Sequence, residues 1–148
     1  MIRRTEEAQR WRSVRERALV YAWVAAGTAI GGTARALVSL VAMQIVPGRF
    51  PSGTLVANVL GSFVIGLYAT LTAPEGRMYV RAPTRQFVMA GLCGGFTTFS
   101  VFSLETYVFI VNRDLVLAAA NIGVSVSAWL ASAWMGHSIA TRINRLGP

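Results

Sequence analysis

The sequence predicts an all-α membrane protein of four transmembrane helices, on three observations. Of its 148 residues, 54% are apolar and only 14% are charged, whereas water-soluble domains carry roughly a quarter charged residues. Four apolar stretches each reach the roughly 20 residues with which an α-helix crosses about 30 Å of hydrocarbon. The segments between them are short and rich in turn formers, so one structural unit is expected.

In chain order, residues 1–18 form an arginine-rich segment holding Arg3, Arg4, Arg10, Arg12, Arg15 and Arg17. The apolar run that follows is too long for a secretory leader, and Glu6 and Glu7 stand where a twin-arginine signal would turn apolar. The segment is expected as a solvated cytoplasmic tail, with a short interfacial helix over 5–17 as the alternative. The membrane domain, residues 19–140, has spans expected near Leu19–Val46, Thr54–Ala73, Gln86–Val111 and Leu115–Ala140. Pro47-Gly48-Arg49-Phe50-Pro51, Pro74-Glu75-Gly76 with Pro83, and Asn112-Arg113-Asp114 connect them, and residues 141–148 form a C-terminal tail. Counting arginines by side gives eleven on the side of the termini and two, Arg49 and Arg113, on the other. Positive charge marks the cytoplasmic side, so both termini are expected in the cytoplasm of a prokaryotic cell bounded by this inner membrane.

All fourteen basic residues are arginine, which excludes a Walker A phosphate loop, a Schiff-base lysine and a lysine general base. A lone cysteine, Cys93, cannot form an internal disulfide, and a lone histidine, His137, cannot build a multi-histidine metal site. The net charge of +8 is concentrated beside the spans, which points to a membrane flank and away from nucleic acid. No nucleophile, base and orienting group converge, so an enzyme is not expected.

Polar residues inside the spans carry the chemistry. The third span contains Gly94-Gly95-Phe96-Thr97-Thr98-Phe99-Ser100. A glycine pair followed by two β-branched residues is a poor continuous helix, so an interruption is expected between about Gly94 and Thr98. Irregular backbone at membrane depth survives only where protein, water or an ion satisfies it. Carbonyls there suit a hard cation such as sodium; a glycine hinge for close packing is the alternative. Phe99 and Phe102 share a helix face, and ring edges are positive, so the pair suits a small dehydrated anion; lipid-facing or packing roles are the alternative.

Asn58 lies inside the second span, where an unsatisfied amide is costly, so it faces protein or a water-filled path. In the fourth span Asn121, Ser125 and Ser132 lie on roughly one face and form a candidate polar rail, unless the serines bond their own helix carbonyls. Arg35, near the far end of the first span, suits an electropositive vestibule or snorkels to the interface. Glu105, the one acid inside a span, pairs with an arginine or faces outer water. Small residues at Gly27 and Gly31, at Gly91 and Gly95, and at Ala119, Gly123, Ser127 and Ala131 are expected at helix contacts.

Taken in order, Gly31-Gly32-x-x-Arg35, Pro51-x-Gly53-Thr54-Leu55-x-x-Asn58-x-x-Gly61 and Gly91-x-x-Gly94-Gly95-x-Thr97-Thr98-Phe99-Ser100-x-Phe102-Ser103-x-Glu105 resemble the Fluc/CrcB fluoride channels. The likeness runs from about Ala25 to Ala140. It implies a fluoride-selective passive channel, exporting fluoride to relieve its toxicity, built as an antiparallel dimer with two pores. It also implies a structural sodium ion at the dimer centre on the carbonyls of Gly94 and Thr97, and a fluoride path at Asn58, Phe99, Ser100, Phe102, Asn121 and Ser125. Val101 and Asn121 depart from the family pattern, which has a threonine and an aromatic hydroxyl there. An antiparallel homodimer needs a subunit that inserts both ways, so the arginine bias predicts pairing with an oppositely oriented homologue in the lipid bilayer, and otherwise with itself. The competing reading is a small multidrug-type proton-coupled exporter, which needs a membrane-embedded acid in the first span; Arg35 stands there instead.

Overall fold

The computed structural model describes the backbone of residues 2–146 and the side chains of residues 14–146. It is all-helical. Among the described residues, four stretches are long and apolar enough to span a membrane: Val14–Ile45, Ser52–Leu71, Ala82–Val111 and Leu115–Arg145.

Helix α1, Ile2–Ile45, is continuous over 44 residues. The arginine-rich segment is helical and continuous with α1, because nothing between Arg3 and Leu19 breaks a helix. The side chains of Arg3, Arg4, Arg10 and Arg12 lie outside the described residues. Helix α2, Ser52–Leu71, has 20 residues, about 30 Å at a rise of 1.5 Å.

The third span opens with α3, Ala82–Gln86, four residues before the expected Gln86. Pro83 sits in its first turn, where a missing N–H costs nothing, so it starts the helix rather than ending the preceding turn. A π-helical stretch, Phe87–Cys93, and a last turn, α4, Gly94–Phe96, follow without a gap. After Thr97 and Thr98 comes α5, Phe99–Val111. Helix α6, Leu115–Arg145, runs five residues past the expected end, with Arg142 and Arg145 in the last turn complementing the negative helix terminus.

Two helix pairs dominate. Helix α2 lies along α6, where a Cβ on Gly66 would strike the Ala133 carbonyl and one on Gly136 the Phe63 carbonyl. Helix α1 lies along the first half of the third span, where Gly27 and Gly91 meet backbone to backbone. A Cβ on Gly91 would stand 2.9 Å from the Val24 carbonyl and 3.0 Å from the Gly27 Cα. Gly31 and Gly95 extend this contact, facing Leu92 and Thr28. The fourth-span row does not behave as expected. Ala119, Gly123, Ser127 and Ala131 are exposed, and nothing approaches Gly123. The face of α6 that is covered carries Ala118, Asn121, Ser125, Ser132, Gly136 and Ala140. Small size permits contact without choosing the face, whereas polar Asn121 and Ser125 have to be turned inward to find partners.

On the side away from the termini, Arg49 in the first connection and Asp114 in the third form the one ion pair among the described residues.

Candidate functional site

The site is built around Thr97 and Thr98, which are extended, at φ −88°, ψ 157° and φ −150°, ψ 126°. Gly94 and Gly95, on which the expected interruption was argued, are helical. Their lack of a side chain serves approach rather than backbone freedom: a Cβ on Gly95 would sit 2.8 Å from the Thr28 Cα.

Asn58 supplies what the extended residues lack. Its Oδ1 accepts from the Thr98 amide at 2.7 Å, and its Nδ2 donates to the Thr98 carbonyl at 2.8 Å. The asparagine is 4% exposed, so the amide placed inside the bilayer by the sequence is satisfied by the neighbouring backbone. Thr98 then caps α5, its Oγ1 accepting from the Val101 amide at 3.2 Å. In an unbroken helix those two amides would bond back to the carbonyls of Gly94 and Thr97. Both are taken instead by side-chain oxygens, which frees the two carbonyls from the helical ladder.

A cavity of about 250 Å³ adjoins this point, lined among others by Asn58, Gly94, Thr97, Thr98, Phe99 and Trp129. Phe99 is 71% exposed, whereas Phe102 is 6% exposed. Their ring centroids are 5.5 Å apart, as the shared face requires. Phe102 also meets Trp129 edge to face at 4.8 Å. Ser100 is exposed, its Oγ 3.2 Å from Thr98 Oγ1.

Asn121 and Ser125 are each 1% exposed and form a connected column. Ser125 Oγ donates to Asn121 Oδ1 at 3.3 Å, Asn121 Nδ2 donates to Thr106 Oγ1 at 2.9 Å, and Thr106 Oγ1 donates to the Phe102 carbonyl at 2.8 Å. Ser132 donates to the Val59 carbonyl of α2 at 2.7 Å. Neither Ser125 nor Ser132 bonds back to a backbone carbonyl of its own helix. The column thus ends on the backbone that carries the buried phenylalanine.

Arg35 lines a second cavity, of about 530 Å³, with Ser39, Arg49, Thr54, Val101 and Glu105. Glu105 accepts from Thr54 Oγ1 at 2.6 Å. Its second oxygen and the Arg35 Nε are buried without partners among the described residues, so the two charges share a chamber without an ion pair.

Thr54, Thr106 and Trp129 escaped the sequence reading as site residues. Thr106 follows Phe102 by four and Trp129 follows Ser125 by four, so helical register held a signal for each. Thr54 carried none, since its role depends on Glu105 from another helix. Among the described residues no three His, Cys, Asp or Glu converge.

This chain matches, over residues 22–137, the family model described as CrcB-like protein, Camphor Resistance (CrcB). It is 50% identical over 133 residues to the fluoride-specific ion channel FluC 1 of Rhodopseudomonas palustris, covering 90% of this chain and 94% of the relative. It is 52% identical over 139 residues to the FluC 1 of Bradyrhizobium diazoefficiens, covering 94% of each chain. With the fluoride-specific ion channel FluC of Paramagnetospirillum magneticum it shares 50% identity over 127 residues, 86% of this chain and 99% of that one. The relatives carry the names of ion channels rather than enzymes. With four helices long and apolar enough to span a membrane among the described residues and a match over most of its length, the chain belongs to the CrcB-like family.

Proposed function

We propose that the chain is a subunit of a fluoride-selective passive channel that lets fluoride leave the cytoplasm and so relieves its toxicity. The observation that carries this reading is the open Phe99 ring, 71% exposed beside buried Phe102, at the point where Asn58 holds the extended Thr98 backbone. It is joined by half-identity to relatives named for fluoride.

The chemical difficulty is stripping water from the smallest halide. Asn58 has two Nδ2 hydrogens and gives one to the Thr98 carbonyl, which leaves the other for an anion in the cavity it lines. The ring edges of Phe99 and Phe102 add weak positive potential without a fixed charge that would trap the ion. Ser100 offers a hydroxyl at the cavity side, and the Ser125, Asn121 and Thr106 column fixes the backbone behind Phe102. Arg35 raises the local anion concentration at the opposite mouth. Fluoride enters acidified cells as neutral HF and dissociates; a negative interior then drives the anion out, about 2.3 kcal/mol per charge over 100 mV.

The freed carbonyls of Gly94 and Thr97 fit a structural sodium, being hard oxygen donors without helical partners. A bound sodium would supply a fixed positive charge between two subunits. The exposed Phe99 supports a second subunit that completes each pore, arranged antiparallel. The eleven-to-two arginine bias supports one insertion orientation, both termini cytoplasmic in the inner membrane, and a companion homologue inserted oppositely.

The decisive measurement is efflux from liposomes holding the purified chain, alone and with the companion. Fluoride is expected to leave far faster than chloride; efflux no faster than from empty vesicles with every subunit present sinks the reading. A C-terminal topology reporter on the chain expressed alone is expected to report the cytoplasm only. A mixed signal would restore the homodimer.

A further inference from the structure

We propose that the indole N–H of Trp129 is a further anion-binding donor on the ion path, one turn beyond Ser125 on α6. The inference rests on the fluoride-channel reading above. Positions 121, 125 and 129 follow at intervals of four, so Trp129 continues the buried polar face of α6. Trp129 is among the residues lining the cavity that Asn58, Thr98 and Phe99 also line, and its ring packs on Phe102 at 4.8 Å with the planes 75° apart.

The donors along this face are not equally engaged. Asn121 Nδ2 is bonded to Thr106, Ser125 Oγ to Asn121, and Ser132 Oγ to the Val59 carbonyl. Trp129 Nε1 is buried and has no acceptor among the described residues. An indole nitrogen only donates, and a buried donor without a partner carries the full cost of its lost hydration. A bare halide is the complementary species, since it only accepts. The N–H is buried in a residue that lines this cavity, so contact with the ion would require the indole to turn toward it. The group then contributes when the ion is present and repels nothing when it is absent, which suits passage rather than storage.

Trp129→Phe keeps a ring against Phe102 and removes the N–H. In liposomes where the wild-type assembly carries fluoride, the variant's fluoride efflux is expected to fall about tenfold or more, the effect of one hydrogen bond to a charged group, with the chloride leak unchanged. A second reading does not depend on flux. With ¹⁵N-labelled tryptophan the protein shows four indole signals, from Trp11, Trp23, Trp129 and Trp134. The signal absent in Trp129→Phe is expected to move downfield with sodium fluoride and to stay in place with sodium chloride. If that variant does not fold, phenylalanine at the other three positions identifies the signal instead. Equal efflux from variant and wild type, or a Trp129 signal indifferent to fluoride, overturns the assignment. Absence of fluoride efflux from the wild-type assembly refutes the channel reading instead.

Discussion

The two halves of the third span meet the rest of the chain in opposite ways. Ala82–Phe96 is pressed against α1 through glycines, so that backbone touches backbone at Gly27 and Gly91. Phe99–Val111 keeps its distance and meets α6 through side chains, with Phe102 on Trp129 and Thr106 on Asn121. The first half spends its small residues on rigidity, because close helices in lipid gain from dispersion and lose little entropy. The second half has room for aromatic and polar groups. The extended pair Thr97 and Thr98 divides the two regimes, and Asn58 holds the dividing point.

This contrast can be broken at three places. The largest effect is expected at the dividing point. Asn58→Ala strips both partners from the Thr98 backbone, each group left unpaired costing about 1–3 kcal/mol, and should abolish measurable fluoride efflux; Asn58→Asp, which still accepts from the Thr98 amide, should lose less stability. Equal unfolding midpoints for the two variants in a denaturing-detergent titration would show that the bonds to Thr98 do not matter. On the rigid half, Gly91→Ala drives a Cβ against the Val24 carbonyl, and overpacking of this kind costs about 1–3 kcal/mol. Lower yield of monodisperse protein is expected, while the folded fraction keeps its fluoride selectivity; altered selectivity would mean that the glycine contact also shapes the pore. The smallest effect belongs to the side-chain half and its neighbour. Thr106→Val unlinks Asn121 from the Phe102 carbonyl and Ser132→Ala unlinks α6 from Val59, and interhelical hydrogen bonds in membranes average about 0.6 kcal/mol. Detergent titration should show small shifts for both, but only Thr106→Val should change fluoride efflux. The same change from both would dissolve the distinction between a site column and a packing bond.

The four spans were legible because membrane thickness makes hydropathy a question of length. Asn58 was legible as a residue needing a partner, since an amide in hydrocarbon has few options, yet its partner was not, because Thr98 lies forty residues away. Phe99 and Phe102 were read as sharing a face from spacing alone, but nothing in the spacing distinguishes the exposed ring from the buried one. That difference comes from Trp129, on another helix. The row Ala119, Gly123, Ser127 and Ala131, which is exposed, misled for a related reason: small residues permit a close approach without deciding which face is covered. Glu105 was visible as the lone acid, whereas its hydroxyl partner Thr54 required two helices to be placed side by side.

The grip of Asn58 on Thr98 also governs sliding. Donor and acceptor sit on one short carboxamide and engage one residue, so a shift of α2 along the third span breaks both bonds together, with no intermediate register in which one survives. In the channel proposed above, this point is therefore a fixed constriction. Fluoride flux through the proposed channel would then follow the driving gradient and the number of assemblies in the membrane.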